Sequence, residues 1–567
     1  MVKYCRADVE LLSKAILKFR KMFMDSLDVD PFRYVTLASL CMSIYSNKFM
    51  PERTIVGNSN TKTSIACKEW LLHLNDKNIV PEVPICVDKR RFSKSFDCHK
   101  NKVESKTYFS GKHNFVVDGF DKVNKVVKEF YGCYWHGCRK CHPEEIAKYD
   151  STMERKNMLE EAGYKVECIW ECEWNKIKNT LENRTELEEQ ARNQHINVRD
   201  ALFGGRTEGF KSYFKCNEKQ KVFYHDVVSL YPTVNALDPY AIGFKRPINV
   251  SNKEELIRRI ASGDFFGVVK ADITPPKDLY LPVLPDNSEG KLLFHLKPLV
   301  KKTYASVELK KALEKGYVID KIYAAYEYDK MEGLMKQYVG SFLKMKIENS
   351  GVKTQEECDE INKSHKALGF DFEVKPEDTK KNPGLRQVAK ICLNSLWGKF
   401  GQRSTLSNYD FYYDFNKLLL KMNDETVKTK RWHIVNKNCV ELRYENDMDI
   451  GVEAEYISEI TAVFTTANAR MRLYEMLDWL HPSQVLYCDT DSVMFVYDET
   501  NPEHKAPVNS PSNPETIKFG NGLGEWEDEF KGGWITELVI GGAKSYAYKT
   551  EYGQDCYQTK GHHARQG

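Results

Sequence analysis

Val485-Leu-Tyr-Cys-Asp-Thr-Asp-Ser-Val-Met-Phe495 runs apolar, then acidic, then apolar again. The pattern predicts a β-hairpin with Asp489 and Asp491 at its tip. Two carboxylates held that close raise each other's pKa. A divalent cation such as Mg2+ relieves the repulsion. A solvated Asp-Thr-Asp turn accounts for the same tripeptide, so the remainder of the chain has to decide.

The chain has 567 residues, which implies roughly three to four domains. Its 41% hydrophobic and 29% charged residues are those of an ordinary globular protein. A formal net charge of +3 conceals 84 basic and 81 acidic side chains, so net charge neither suggests nor excludes a nucleic-acid partner. The first twenty residues lack a secretory signal, and the 16 cysteines read as reduced thiols or metal ligands. No apolar run reaches the ~20 residues of a membrane span. The expectation is a soluble intracellular protein that is not secreted, in nucleus or cytoplasm.

Three further stretches bear on the hairpin. Val222-Phe-Tyr-His-Asp-Val-Val-Ser-Leu-Tyr-Pro232 predicts a buried strand ending in Asp226 and a turn into a helix. Free backbone N–H groups at that helix start, over Ser229, Leu230 and Tyr231, can hold a phosphate. If Asp226 meets Asp489 and Asp491, three carboxylates surround two cations, a set able to activate a 3′-hydroxyl and stabilise a leaving pyrophosphate. In Arg386-Gln-Val-Ala-Lys-Ile-Cys-Leu-Asn-Ser-Leu-Trp-Gly-Lys-Phe-Gly401, Arg386, Lys390 and Asn394 recur every fourth residue and share a helix face. A solvated cationic face or a helix presenting donors to a triphosphate fits that stripe. Leu538-Val-Ile-Gly-Gly-Ala-Lys-Ser-Tyr-Ala-Tyr548 reads as a strand with Lys544 and Tyr546 on one side, suited to a primer phosphate and sugar or to an exposed edge.

Other segments are less specific. Lys3 to about Met24 is helical, with Asp8 on its first turn. Gly204-Gly205 permits close backbone approach to another chain or a phosphate. Helices are expected over Glu254–Ile260, Glu332–Glu348 and Glu459–Leu480, and strands over Phe265–Ile273 and Lys321–Tyr328. Asn349–Asn382 reads as an extended loop or helix tip. Gly561–Gly567 has no apolar pattern and reads as frayed.

Between Thr61 and Lys178 the order is α-β-β-α-β: a helix over Ser64–Leu74, strands at Asn114–Phe120 and Asn124–Tyr131, a helix over Met153–Ala162 and a strand at Lys165–Trp170. Cys133, Cys138 and Cys141 crowd one loop, and Cys172 follows the last strand. Thiolates so spaced suit tetrahedral structural zinc, with His142 as a possible substitute ligand. Asp118 and Glu129 fall on adjacent strands and could share a divalent metal, with His136 as general base.

Gly132-Cys-Tyr-Trp-His-Gly-Cys138 together with Gly163-Tyr-Lys-Val-Glu-Cys-Ile-Trp-Glu-Cys172 resembles the very-short-patch repair endonucleases, a branch of the restriction-endonuclease-like fold. The resemblance puts Cys133, Cys138, Cys141 and Cys172 on zinc positions, Asp118 on the metal-binding acid and His136 on the catalytic histidine. Tyr131 stands where the broader fold often has lysine.

The strings around Asp226, Lys390, Tyr487 and Lys544, in that order, resemble family B DNA polymerases of the protein-primed branch, found in viruses, linear plasmids and virus-like transposons. The resemblance implies that Asp226 and Asp489 hold two Mg2+ ions (Mn2+ being possible), with Asp491 assisting. It assigns Tyr231 to the sugar, Arg386, Lys390 and Asn394 to the incoming triphosphate, and Lys544 and Tyr546 to the primer end. Gly204-Gly205 resembles the element between exonuclease and polymerase parts, and Tyr4–Asp8 the last exonuclease motif. Trp397 departs from the tyrosine commoner at its point.

The expected fold is thus α+β and multidomain: a right-hand polymerase palm and fingers with an antiparallel palm sheet, plus an inserted α/β restriction-endonuclease-like domain, with exonuclease and thumb incomplete. The expected parts are an exonuclease remnant (1–60), the zinc module (61–180), a linker (181–210), first palm part (211–340), fingers (341–403), second palm part (404–550) and the start of a thumb (551–567). Primer-template DNA, dNTPs and possibly a terminal protein primer are the implied partners of a monomer. The alternatives are a metal-dependent DNA endonuclease with a decayed polymerase part, and a non-catalytic DNA-binding remnant.

Overall fold

The computed structural model describes residues 2–55, 64–76, 79–88, 112–250, 252–403, 408–424, 427–446, 457–553, 555–559 and 562–566. The chain opens with α1 (Val2–Leu27), largely exposed, and α2 (Leu37–Ile44), whose Thr36 hydroxyl caps it by accepting from the Ser39 N–H. α2 is buried against the helix that carries Arg386.

A four-stranded sheet follows. Helix α3 (Ile65–Leu74) leads into β1 (Ile79–Asp88), β2 (Lys112–Asp121) and β3 (Val126–Tyr131). α4 (Ile146–Glu161) then crosses over to β4 (Lys165–Trp170), which pairs parallel to β3 in the order β1-β2-β3-β4. A parallel pair needs such a crossover. Helices α5 (Glu171–Lys178) and α6 (Arg184–Gln194) cover one face with α3, around Trp70, Phe130, Trp174 and Leu187. The expected order lacked β1. Its Pro81 and Pro84 argue against a strand, yet β1 is the sheet edge, where missing N–H donors cost least.

The next part contains β5 (Thr207–Gly209), β6 (Tyr213–Lys215), β7 (Gln220–Val227), α7 (Leu230–Leu237), β8 (Pro239–Pro247), α8 (Lys253–Ser262) and β9 (Gly267–Thr274). A short ribbon, β10 (Pro285–Asp286) with β11 (Leu293–Phe294), precedes β12 (Leu299–Ala305), α9 (Ser306–Glu314) and β13 (Val318–Glu332). β12-β9-β13-β8 form a second four-stranded sheet.

Helices α10 (Lys336–Glu348), α11 (Gln355–Ala367) and α12 (Pro383–Phe400) come next. The segment expected as loop holds α11, announced by the capping box Thr354/Glu357. α12 starts cleanly, with Pro383 in its first turn and the Asn382 side chain accepting from Leu385 N–H. It buries Ala389, Cys392, Leu393 and Leu396 and leaves Arg386, Lys390 and Asn394 exposed, the division its spacing predicts. Each such leucine contributes about 1.5–3 kcal/mol by burial.

A small unit then contains β14 (Asn408–Tyr412), α13 (Phe415–Met422), β15 (Val427–Asn436) and β16 (Cys439–Asn446), in sheet order β14-β16-β15. The long α14 (Glu459–Trp479) is buried nearly all round, its polar Thr465, Asn468 and Arg470 included. The chain ends in β17 (Val485–Asp489), β18 (Ser492–Asp498), β19 (Trp526–Asp528), β20 (Ile535–Gly542), β21 (Ser545–Thr550), β22 (Asp555–Thr559) and β23 (His562–Gln566).

Ten strands make the largest sheet, along the path β23-β22-β21-β20-β7-β18-β17-β5, with β19 on β7 and β6 on β20. Two expectations change here. Leu538–Tyr548 is a hairpin rather than one strand, because Gly542 and Lys544, both with positive φ, turn the chain. The expected frayed end is strand β23, held by backbone pairing to β22, which needs no apolar pattern.

Candidate active site

The centre of the ten-stranded sheet gathers the acids. Antiparallel register sets Asp489 opposite Ser492, Ser492 opposite Asp226, and Asp226 opposite Glu527. Directly opposed residues share a face, so three carboxylates line one row across four strands. Asp226 and Asp489 lie two strand spacings apart, about 10 Å between backbones. Asp491 joins them from the hairpin turn, where its carbonyl accepts from Val227 N–H at 2.8 Å.

The turn is shaped from outside. Thr490 is left-handed, with φ 59°. Its N–H donates to the Arg206 carbonyl at 2.7 Å. A Cβ on Gly205 would lie 2.8 Å from Thr490 Cγ2, so this glycine is required by close approach. Gly205 therefore packs on the chain's own hairpin, while Gly204 faces Leu292. The stretch is anchored by the buried Arg470, which donates to the Phe203 and Gly204 carbonyls at 2.6 and 2.9 Å and pairs with Glu308 at 2.8 Å. Removing one partner of a buried pair costs about 3–5 kcal/mol.

The row and its neighbours crowd negative charge into a buried space. The Asp226 carboxyl is pushed up to about 8, first by burial and then by Asp491, Glu529 and Glu527. Asp491 is pushed up to about 6 by burial and by Asp489. Asp489 has side-chain partners of its own. Lys544 Nζ lies 2.7 and 3.0 Å from its two oxygens, and the Thr207 hydroxyl donates to it at 2.8 Å. Lys544 reaches it from the β20–β21 turn, where its own N–H donates to Tyr487 Oη at 2.9 Å. Tyr546 stands nearby, its ring 5.1 Å from that of Tyr487. Oxygen donors and crowded negative charge fit Mg2+ or Mn2+.

Beside the acids lies a cationic wall. Lys346 Nζ on α10 donates to the Ser229 hydroxyl at 3.3 Å. Its ammonium is held below the usual lysine range by burial and by Arg386 and Lys390. Lys390 also lowers the Asp226 pKa, so the stripe and the carboxylates face one space. Tyr231 stacks on Trp397 with centroids 4.4 Å apart and planes at 19°. Gly398 has open space where a Cβ would point. Ser229 is left-handed and makes no side-chain cap, and Leu230 is buried as the first residue of α7. Asn394 is exposed on the Lys390 face.

Sequence reasoning missed Glu527, Glu529, Thr207 and Lys346. Only the acid run Gly524-Glu-Trp-Glu-Asp-Glu529 offered a signal for the first two. Asp8 is exposed on α1 and joins no carboxylate cluster among the described residues.

The second cluster is in the four-stranded unit. The thiols of Cys133, Cys138, Cys141 and Cys172 all lie within 4.8 Å of one another. Tetrahedral zinc with Zn–S near 2.3 Å sets sulfurs about 3.8 Å apart, and Cys138 and Cys172 stand at 3.9 Å. Gly137, at φ +65°, makes the loop possible, since a Cβ there would meet the Glu145 carbonyl at 2.4 Å. His142 turns instead to Glu144, at 3.3 Å.

Nearby, Asp118 accepts from Phe130 N–H at 2.7 Å and is pushed up to about 7 by burial and Glu129. Glu129 is also engaged by Arg155 at 3.0 and 3.2 Å. His136 sits 3.1 Å from the Thr152 hydroxyl and is held down to about 4, mainly by burial, which keeps it neutral.

The family of DNA polymerases type B, organellar and viral, matches residues 178–363 and 372–479. A DNA polymerase of Kluyveromyces lactis is 23% identical over 383 residues, covering 65% of this chain and 32% of that protein. A probable DNA polymerase of Podospora anserina is 24% identical over 354 residues, covering 62% and 26%. The chain thus spans a third or less of these relatives' length. The Type II nicking enzyme V.NmeAIP of Neisseria meningitidis is 31% identical over 144 residues, covering 23% of this chain and 91% of that enzyme. Among solved structures, Phi29 DNA polymerase complexed with primer-template DNA aligns with a TM-score of 0.40 at 17% identity, covering 65% of this chain and 51% of that one.

Proposed function

The chain belongs to the organellar and viral type B DNA polymerases, and from that membership we propose that it carries the nucleotidyl-transfer centre of a DNA-directed, protein-primed DNA polymerase. The observation that carries this reading is the row Asp489, Ser492, Asp226, Glu527 facing Lys346 and Lys390. Asp226 and Asp489, assisted by Asp491, would hold two Mg2+ or Mn2+ ions, which when bound supply positive charge at the attacking and leaving oxygens.

The chain's own groups do the positioning. Lys346, Arg386 and Lys390 neutralise a dNTP triphosphate on the side away from the acids. Asn394 extends that face. The Tyr231–Trp397 stack offers a flat floor for sugar and base. Lys544 balances Asp489 in the free protein and, with Tyr546, steadies the primer terminus. The primer 3′-hydroxyl attacks the α-phosphate in line and pyrophosphate leaves. Catalysis here is chiefly orientation and charge complementarity. A terminal protein offering a hydroxyl, in place of a primer, suits the same centre.

Primer extension with Mg2+ tests the reading. This chain should add dNMPs to a primed template, and Asp489→Ala should not. Equal incorporation by both proteins, or none by either, refutes it.

A second reading concerns residues 61–180. The likeness to a nicking enzyme supports an endonuclease-like module there, and the clustered thiols support zinc in it; a mobile or virus-like element's polymerase is the proposed setting. The four thiols would hold the zinc. Asp118 and His136 would be the nuclease groups. Because Glu129 is tied to Arg155, a metal there would be held by Asp118 without it. Duplex nicking that persists in Asp489→Ala and vanishes in His136→Ala is the outcome this reading requires; its absence from both refutes nuclease action.

A further inference from the structure

We propose that the open face of the β14-β16-β15 sheet is a stacking surface for single-stranded DNA, apart from the carboxylate centre. The unit stands between α12 and α14 and has its own small core of Leu418, Leu442 and Tyr444, with α13 on that side. Register places Tyr409, Arg443 and Arg431 in one row and Phe411, Glu441 and His433 in the next. Side chains alternate along a strand, so both rows lie on the face opposite Leu442 and Tyr444, away from α13.

That face is left to solvent. Tyr409 and Phe411 are 53% and 56% exposed. Two rings two residues apart along a strand stand about 6.8 Å apart, so each can take a separate unpaired base. The Arg443 guanidinium lies over the Tyr409 ring, 5.3 Å from its centroid. β15 adds Lys428, Lys430, Arg431 and His433 with no acid of its own. Lys430 is met by Glu445 at 2.9 Å, and Glu441 is the acid within the two rows. Cations alternating with flat rings match a polyanion that offers unpaired bases. A protein partner of apolar surface would need the rings and not the cations. Duplex DNA, its bases paired and stacked, would need the cations and not the rings.

Binding of a labelled oligothymidylate to the full chain in EDTA tests this, with no nucleotidyl transfer required. Tyr409→Ala/Phe411→Ala should weaken binding at least about tenfold, and Tyr409→Trp/Phe411→Trp should keep it within about twofold. Arg431→Gln/Arg443→Gln should flatten the slope of log affinity against log salt by about 1.4. Light-induced cross-linking of a 5-iododeoxyuridine oligonucleotide should mark the peptide bearing Tyr409 and Phe411. Unchanged affinity in the double alanine variant, or cross-links confined elsewhere, overturns the proposal. Binding and cross-linking are read in EDTA without nucleotidyl transfer, so a failed primer extension leaves this result standing and vice versa.

Discussion

Replacing Asp226 by asparagine should abolish incorporation and yet stabilise the metal-free protein. In the unfolded chain this carboxyl titrates near its ordinary value, about 3.9. In the folded protein burial and three neighbouring acids push it up to about 8. A carboxyl raised on folding adds nothing unfavourable below about pH 4, and its cost grows as pH rises towards 8, where the folded form also ionises. pH 7 lies about three above the unfolded pKa and still below the folded one, so about 1.4 kcal/mol for each pH step sets a ceiling of about 4 kcal/mol. Relaxation and water entry reduce this, leaving about 2 kcal/mol, the size of a substantial single substitution. Asparagine keeps the shape without the charge. Urea unfolding in EDTA should show Asp226→Asn more stable at pH 8, with the advantage shrinking at pH 5. Mg2+ should raise the stability of the wild type more than that of the variant, by the linkage of binding to folding. A variant less stable than the wild type at pH 8, or an advantage that ignores pH, refutes the argument.

The remaining predictions concern parts that shape the two clusters. The purified chain should carry about one zinc by elemental analysis, and Cys133→Ser or Cys172→Ser should lose it while retaining primer extension. Trp397→Ala should raise the KM for dNTP about tenfold at little cost in kcat, and Trp397→Phe should restore it, because a flat ring under Tyr231 is what matters. Gly205→Ala drives a Cβ into Thr490 and should cut incorporation at least about tenfold with the fold intact, and Thr490→Gly in addition should recover most of it, as steady-state extension would show.

Much of this site is legible in the chain because its parts are locally encoded. The hairpin at Asp489, the strand into Asp226 and the stripe Arg386, Lys390, Asn394 each follow from spacing alone, and the structure brings them to one space. Glu527 escapes such reading, since its place opposite Asp226 depends on a strand register that no local pattern records. Lys346 escapes it too, being one lysine on a helix until α10 packs beside Ser229. β1 was hidden by its prolines, and α11 was readable in Thr354 and Glu357 but lay in a polar stretch. The pairing of Glu129 with Arg155 escapes local reading for a similar reason: Arg155 arrives from α4, twenty-six residues on.

The proposal that Asp226 and Asp489 form one metal-dependent polymerisation centre can be put to a single test. The most direct measurement is single-turnover incorporation of one dNMP at saturating dNTP, for the wild type, Asp226→Asn and Asp489→Asn on the same primed template. The expected result is a loss of at least about a thousandfold in either variant, with primer-template affinity kept within a few fold and the double variant no worse than each single one, as for groups that act as a unit. Incorporation by either single variant at the wild-type rate would contradict it.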